Sequence, residues 1–508
     1  MTATKTVRLH PDDPLVVAAT SLSPGQEIAG EGVTVVRPIP SGHKMATQTI
    51  ARGEKITKFG QFIGVATEDI GPGTHIHTHN TAMATPADDY QFSTDLRDMG
   101  RPAKGEAREF MGYHRKDGRV GTRNYIALCS TVNCSATVVR YIADEINRSG
   151  ELEQYPNIDG VIALAHGTGC GMAGSGAGFE NLERVIWGHA THPNVGAALF
   201  VGLGCEVMQI GYLREKYDLD DENRFQSLTI QGTGGTRKTI EKAAAQIRER
   251  LAGVNAAARA PAPASQLMVA LQCGGSDGYS GITANPALGY AADLIVREGG
   301  AAVLAETTEI YGAEHLLTRR AVSREVGEKL IALIRWWEDY TARNGGEMDN
   351  NPSPGNKAGG LTNILEKSLG AAAKGGTSPL TGVYRYAEKV TRPGFAFMDS
   401  PGYDPASVTG QIASGCNIVC FTTGRGSAFG SKPAPTIKLA TNSRMYEAMT
   451  EDMDINCGDI ASGGATVHSK GEEIFEEILR VASGGQSKSE AMGLGDNEFV
   501  PWQIGAVM

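Results

Sequence analysis

A chain of 508 residues exceeds what one ordinary hydrophobic core can organise, so about three domains are expected. Its 41% hydrophobic and 20% charged content is that of a globular protein, and no run of about 18 apolar residues exists to span a bilayer, which excludes a helical membrane protein. The net charge of -10 excludes nucleic-acid binding as the main task, and an N-terminus without a charged-then-apolar signal points to the cytoplasm.

Residues 1–85 read as a small all-β domain, because β-branched and polar residues alternate in short runs broken at PSG, ARG and GPG. His43 sits there in SGHK, and His75, His77 and His79 in HIHTHN. Alternation by two puts the last three on one face of an extended strand, where a metal or an anionic substrate would be gripped. A solvent-facing strand edge is the other reading. Residues 86–115, rich in Asp, Pro and Arg, read as a linker.

From residue 116 to 258 one grammar repeats: an apolar run, a glycine loop, then a helix. It predicts an α/β domain with a largely parallel sheet and working loops at the strand C-termini. The 65 glycines punctuate such loops. Their spacing matches neither a dinucleotide fingerprint nor a phosphate loop, which argues against NAD and ATP. An Ala/Pro segment marks the next boundary, and residues 265–508 read as a C-terminal α/β domain carrying glycine-rich site loops.

Cys170 in HGTGCG, Cys205 in GLGCE and Cys273 in QCGG each follow a strand. Without an export signal the eight cysteines favour metal ligation or burial over disulfides. Convergence of these three would make an iron or zinc site; three buried small hydrophobes is the alternative. Asp277 and Asn285, just beyond Cys273, are candidates for bonding substrate hydroxyls. Glu306, directly after an apolar run, is a carboxylate suited to a hard cation, and Glu309 is another or else a helix-start charge. NPSPGNKAGG places Asn356 and Lys357 in a rigid loop before an amphipathic helix expected from near Leu361, a setting for a carboxylate clamp or a base. Residues 398–457 show little helical periodicity, and TTGRGSAFG sets Arg425 between glycines, where its planar fork suits a carboxylate.

Taken together, GHK, HIHTHN, HGTGCG, GLGCE, QCGGSDGYSGITANPALG, NPSPGNKAGGLTNILEKSLG and TTGRGSAFG resemble the altronate dehydratase family, which also holds galactarate dehydratase and the two-part sulfolactate sulfo-lyase. The resemblance runs from about residue 10 to the C-terminus. It implies an N-terminal β-clip domain of the SAF type before α/β domains, and Fe2+-dependent removal of water from a sugar acid to a 2-keto-3-deoxy product. Mn2+ or another divalent cation is the substitute, and an iron–sulfur cluster on Cys170, Cys205 and Cys273 a further alternative. By resemblance and chemistry His43, His75, His77 and Lys357 are the catalytic candidates. Arg425, Asp277, Asn285 and Asn356 are those for substrate, and Cys170, Cys205, Cys273 and Glu306 those for metal. The triple-histidine run favours altronate, a monocarboxylic aldonate, over the aldarate galactarate. A sugar-acid-binding protein without turnover is the non-enzymatic alternative. No nucleic acid or membrane is expected as a partner, and the expected assembly is a homodimer.

Overall fold

The computed structural model describes residues 5–84, 89–103, 105–217 and 224–507. Among them no helix is long and apolar enough to cross a membrane.

The first unit is a β head. An antiparallel sheet runs Thr6–Val7, Leu15–Ala18, Lys44–Ala46, His75–Ile76, and a second runs Lys55–Lys58, Gln61–Ala66, Thr81–Ala82. Its described residues contain no helix. Leu15, Ile50, Ile56, Ile63 and Ile76 form a core that continues into Ala313, Leu369 and Ala372 of the third domain, so the head is packed on the body. HIHTHN is not one extended strand. Only His75–Ile76 pairs, after which Asn80 closes a turn by accepting from His77 N–H (2.9 Å) and donating to His75 O (3.0 Å).

The second domain holds four parallel strands in the order Gly160–Leu164, Tyr125–Ser130, Val195–Gly202, Phe225–Thr229. Tyr125–Ser130 is buried at every position, as a central strand covered on both faces must be. Helix Asn133–Arg148 buries Val138, Val139, Ile142 and Ile146, one face at helical spacing.

Seven parallel strands form the third domain, in the order Leu380–Tyr384, Gly394–Met398, Ala301–Leu304, Met268–Cys273, Ile418–Thr423, Thr436–Ala440, Ile455–Asn456. Phe179, Leu182, Ala413 and Phe421 share a core across the two α/β domains. Residues 109–114, expected to end the linker, instead form the strand Glu109–His114, which pairs with Arg259–Pro263 in the Ala/Pro segment. Pro261 and Pro263 are tolerated because Arg259–Pro263 is an edge strand of this three-stranded antiparallel sheet. Two further expectations are corrected. Residues 398–457 contain the helix Asp404–Ser414, and helix Ile364–Ala373 is not amphipathic, since Ile364 through Ala372 are all buried.

Candidate active site

Parallel strands end together, so the residues following Ala301–Leu304, Met268–Cys273 and Gly394–Met398 meet at one sheet edge. There, ligand atoms of Cys273, Glu306 and Glu309 lie within 4.8 Å of one another, and all three residues are buried. Glu306 has a φ of 71°, a conformation that costs a non-glycine residue about 1–3 kcal/mol. Ser400 over-determines it, accepting from Glu306 N–H at its hydroxyl (3.0 Å) and from Thr307 N–H at its carbonyl (3.0 Å). Neither carboxylate oxygen of Glu306 has a hydrogen-bond partner, although both are buried.

Two ammonium groups neutralise this pocket. Lys374 Nζ lies 2.8 Å from Cys273 Sγ and 3.8 Å from Glu306, while Lys367 Nζ and Asn351 Nδ2 both donate to Glu309 Oε1 (2.6 and 2.9 Å). Burial, then Glu309, holds Glu306 well above the usual carboxylate range. Burial acts on Glu309 too, but Lys367 and Lys374 outweigh it and keep its carboxyl low. Two acids pushed apart in one pocket are a proton donor beside a proton acceptor. Asp404 joins them: a Cβ on Gly274 would lie 2.3 Å from Asp404 Oδ2, so only glycine admits that carboxylate to the strand end. Burial, followed by Glu309, pushes Asp404 up to about 7.

The second feature lies where the head meets the body. His43, His75 and His77 are grouped with ring centroids 5.1 to 5.4 Å apart, and His79 is exposed at 5.5 Å from His75. His43 Nε2–H donates to Ala358 O (3.2 Å) and His77 Nε2–H to Lys357 O (2.9 Å). A neutral His43 therefore accepts at Nδ1, and His75 Nε2–H, 3.0 Å away, donates to it. His75 Nδ1 is left as a bare acceptor. Burial lowers His43 to about 4 and His75 to about 3, and lowers His77 as well, so the rings are neutral near pH 7.

Docking at this seam is tight and ionic. Glu366 takes Lys44 Nζ at Oε2 and Lys58 Nζ at Oε1, each at 2.8 Å, with all three side chains buried. A Cβ on Gly278 would sit 2.0 Å from Gly42 O, so the two backbones approach as only glycine permits. Along the seam opens a cleft of about 610 Å³ whose walls include Ser41, Tyr279, Gly359, Arg425, Asn442 and Arg444. Residues 351–360 connect both features, through Asn351 to Glu309 and through Lys357 and Ala358 to the histidines.

The remaining candidates fall into distinct groups. Lys357 is half-buried beside His77, and its ammonium makes no hydrogen bond or ion pair among the described residues. Arg425 is exposed on the cleft wall. Asp277 is buried with its oxygens taken by Thr441, Ser280, Tyr279 and Asn442. Asn285 bonds Gly370 and Thr422, and Asn356 closes a capping box with Ser353 and donates to Ser276 O. These three are occupied in shaping loops. Cys170 and Cys205 do not join Cys273: they are exposed on the second domain, because their strands belong to a different sheet. Asp404, Lys367, Lys374, Lys44, Lys58 and Glu366 escaped the sequence reading. The signal for Glu366, Lys367 and Lys374 was present in ILEKSLGAAAK, an otherwise apolar helix where every charge needs a buried partner.

An acid pair buried at a parallel sheet's carboxyl edge, and neutral histidines from a β head tied to it through residues 351–360, define an enzyme that moves protons on a small anionic molecule. The chain belongs to the altronate/galactarate dehydratase family. Residues 4–84 match the altronate/galactarate dehydratase SAF domain, residues 112–255 the D-galactarate dehydratase/altronate hydrolase second domain, and residues 264–507 the D-galactarate/altronate dehydratase C-terminal domain. It is 36% identical to the altronate dehydratase of Bacillus subtilis, over 94% of this chain and 95% of that one. Identity to the galactarate dehydratase (L-threo-forming) of Escherichia coli is 37%, over 94% and 92%. The (2R)-sulfolactate sulfo-lyase subunit beta of Chromohalobacter salexigens is 32% identical, over 78% and 97%.

Proposed function

We propose that this protein is a hydro-lyase that removes water from a sugar acid, D-altronate, to give a 2-keto-3-deoxy sugar acid. The observation that carries this reading is Glu306, a buried carboxylate with no hydrogen-bond partner beside Cys273 and Glu309. A thiol and two carboxyls that would give up their protons on ligating a metal suit a borderline divalent ion, Fe2+ in this reading and Mn2+ as its substitute, and a cation would give the Glu306 oxygens the close partner they lack. When bound, that ion supplies a Lewis acid for the negative charge that builds up as the substrate loses its proton.

The chain's own groups do the rest. Arg425 and Arg444 draw the anion into the cleft. His75 Nδ1, neutral and bare, takes the proton from the carbon beside the carboxylate. Lys357 gives a proton to the departing hydroxyl, water leaves, and the enol that remains tautomerises to the ketone.

Galactarate is the second reading, favoured by the second guanidinium, since a dicarboxylate would use both Arg425 and Arg444. A panel of aldonates and aldarates, incubated with the Fe2+-loaded protein under reducing conditions, tests both. Formation of a 2-keto acid from altronate supports the first, from galactarate alone the second, and from none of the panel overturns the hydro-lyase reading. The proposed setting is a cytoplasmic homodimer. Eight unpaired thiols support a reducing compartment, Tyr141, 57% exposed on helix Asn133–Arg148, supports a partner surface, and twice 53.6 kDa by light scattering is the expected mass.

A further inference from the structure

Five of the eight cysteines are buried; the three exposed ones, Cys134, Cys170 and Cys205, occupy one edge of the second-domain sheet. They follow Tyr125–Ser130, Gly160–Leu164 and Val195–Gly202, a central strand and its two neighbours, all parallel. The loops are joined by backbone bonds. Asn133 N–H donates to Thr168 O (2.8 Å) and Val207 N–H to Gly169 O (3.0 Å), so each cysteine lies within two residues of a bond between its loop and the next. Gly169, with a φ of 95°, makes this possible, since a Cβ there would lie 2.2 Å from Thr131 O.

A second observation concerns charge. Helix Asn133–Arg148, with Cys134 in its first turn, has Val132 as N-cap, no side-chain cap and no acidic residue in that turn. Helix Ala177–Ala190, which follows the Cys170 loop, also starts without a side-chain cap, although Glu180 in its first turn already answers its positive end. In the third domain the helices beginning at Arg324, Pro354, Ile364 and Val467 are capped by Ser323, Ser353, Asn363 and Thr466, whereas those beginning at Ala284 and Asp404 also lack a side-chain cap. At helix Asn133–Arg148 the N–H groups of Asn133 and Ser135 already donate to Thr168 O and Val132 O, so it is the positive helix start without an acidic residue, at the edge where three thiols gather, that favours a negatively charged occupant. Single-ion geometry is less apt. Zinc–sulfur bonds of about 2.3 Å bring sulfurs within roughly 3.8 Å of one another, whereas these three do not all lie within 4.8 Å.

We propose that Cys134, Cys170 and Cys205 ligate an iron–sulfur cluster, at a centre separate from the pocket of Cys273, Glu306 and Glu309. Three thiolates leave one iron without a protein sulfur, open to solvent or to an oxygen ligand. The cluster is anionic, and the positive start of helix Asn133–Arg148, which carries Cys134, favours that charge.

Anaerobic incubation of the full-length protein with equal amounts of ferrous and ferric iron and with sulfide tests this. The expected result is iron and acid-labile sulfide in equal amounts per chain with broad visible absorption, most of it lost in each of Cys134→Ser, Cys170→Ser and Cys205→Ser and retained in Cys273→Ser. Alkylation mapped by mass spectrometry gives a readout that needs no variant: the three thiols should be protected in the loaded protein and modified in the chelated one. Absence of sulfide uptake, uptake unchanged in the three serine variants, or equal alkylation with and without the metal would overturn the proposal.

Discussion

Glu306 costs the fold twice, once in its positive φ and once as a buried carboxyl with no hydrogen-bond partner. Glu306→Gln removes the ionisable group while keeping the shape, so the metal-free protein should melt at the same temperature or slightly higher. Activity should move the other way. A Lewis acid contributes several kcal/mol, so losing it should lower kcat on the order of 10³-fold, with bound Fe2+ per chain falling in parallel. An unchanged iron content in this variant would remove Glu306 from the metal site. His75→Asn tests the base. It keeps a polar side chain but no group able to take a proton near neutral pH, so kcat should fall by about 10²–10⁴-fold with little change in KM. A rise in KM at constant kcat would make His75 a binding residue instead.

Helix Ile364–Ala373 joins head and body in two adjacent residues, Glu366 gripping Lys44 and Lys58, and Lys367 gripping Glu309. Burial raises the cost of Glu366 as an ion, yet Lys44 and Lys58 prevail and hold its carboxyl far below the usual range. Removing one ammonium leaves charge buried with less compensation, so Lys58→Met should destabilise the protein by about 3–5 kcal/mol in urea titration. A cost under about 1 kcal/mol would mean that the seam is wet. Acid should loosen the same seam. The undocked histidines take up protons near 6.5, whereas docked His43 and His75 do so only near 4 and 3. Their contribution to docking is therefore complete above about pH 6.5 and is lost as pH falls toward 4, and Glu366, held low, adds a further loss below its ordinary range. Lys44, pushed down to about 8 mainly by burial, is charged throughout that window and does not reverse the sign. Protection of the amides at Leu15–Ala18 and Lys44–Ala46, taken relative to their intrinsic exchange rates, should thus fall between pH 6.5 and 4, and unchanged protection there would contradict the docked, neutral histidines. None of this pairing was readable in advance. Local periodicity reveals that Lys58 is polar, but not that a glutamate 308 positions later lies against it.

At the scale of the molecule, the strand, glycine loop and helix grammar exposed both parallel sheets, since their strands are short apolar runs buried on two faces. Linker and seam were harder. Glu109–His114 pairs with a proline-rich segment whose composition speaks against a strand, and the order of strands in the seven-stranded sheet depends on crossovers that no local pattern records. For the same reason Cys273 read like Cys170 and Cys205, although sheet membership divides them. The ionic seam has a consequence in time. Lys44, Lys58 and the histidines leave the ribosome about 300 residues before Glu366 and residues 351–360, which bury and neutralise them. Until then the nascent head carries solvated histidines that titrate in the ordinary range, and the acid pocket has not been assembled. Under the proposed mechanism, reactivity toward sugar acids is thus acquired late in synthesis, and a prematurely terminated chain is inert rather than partly active.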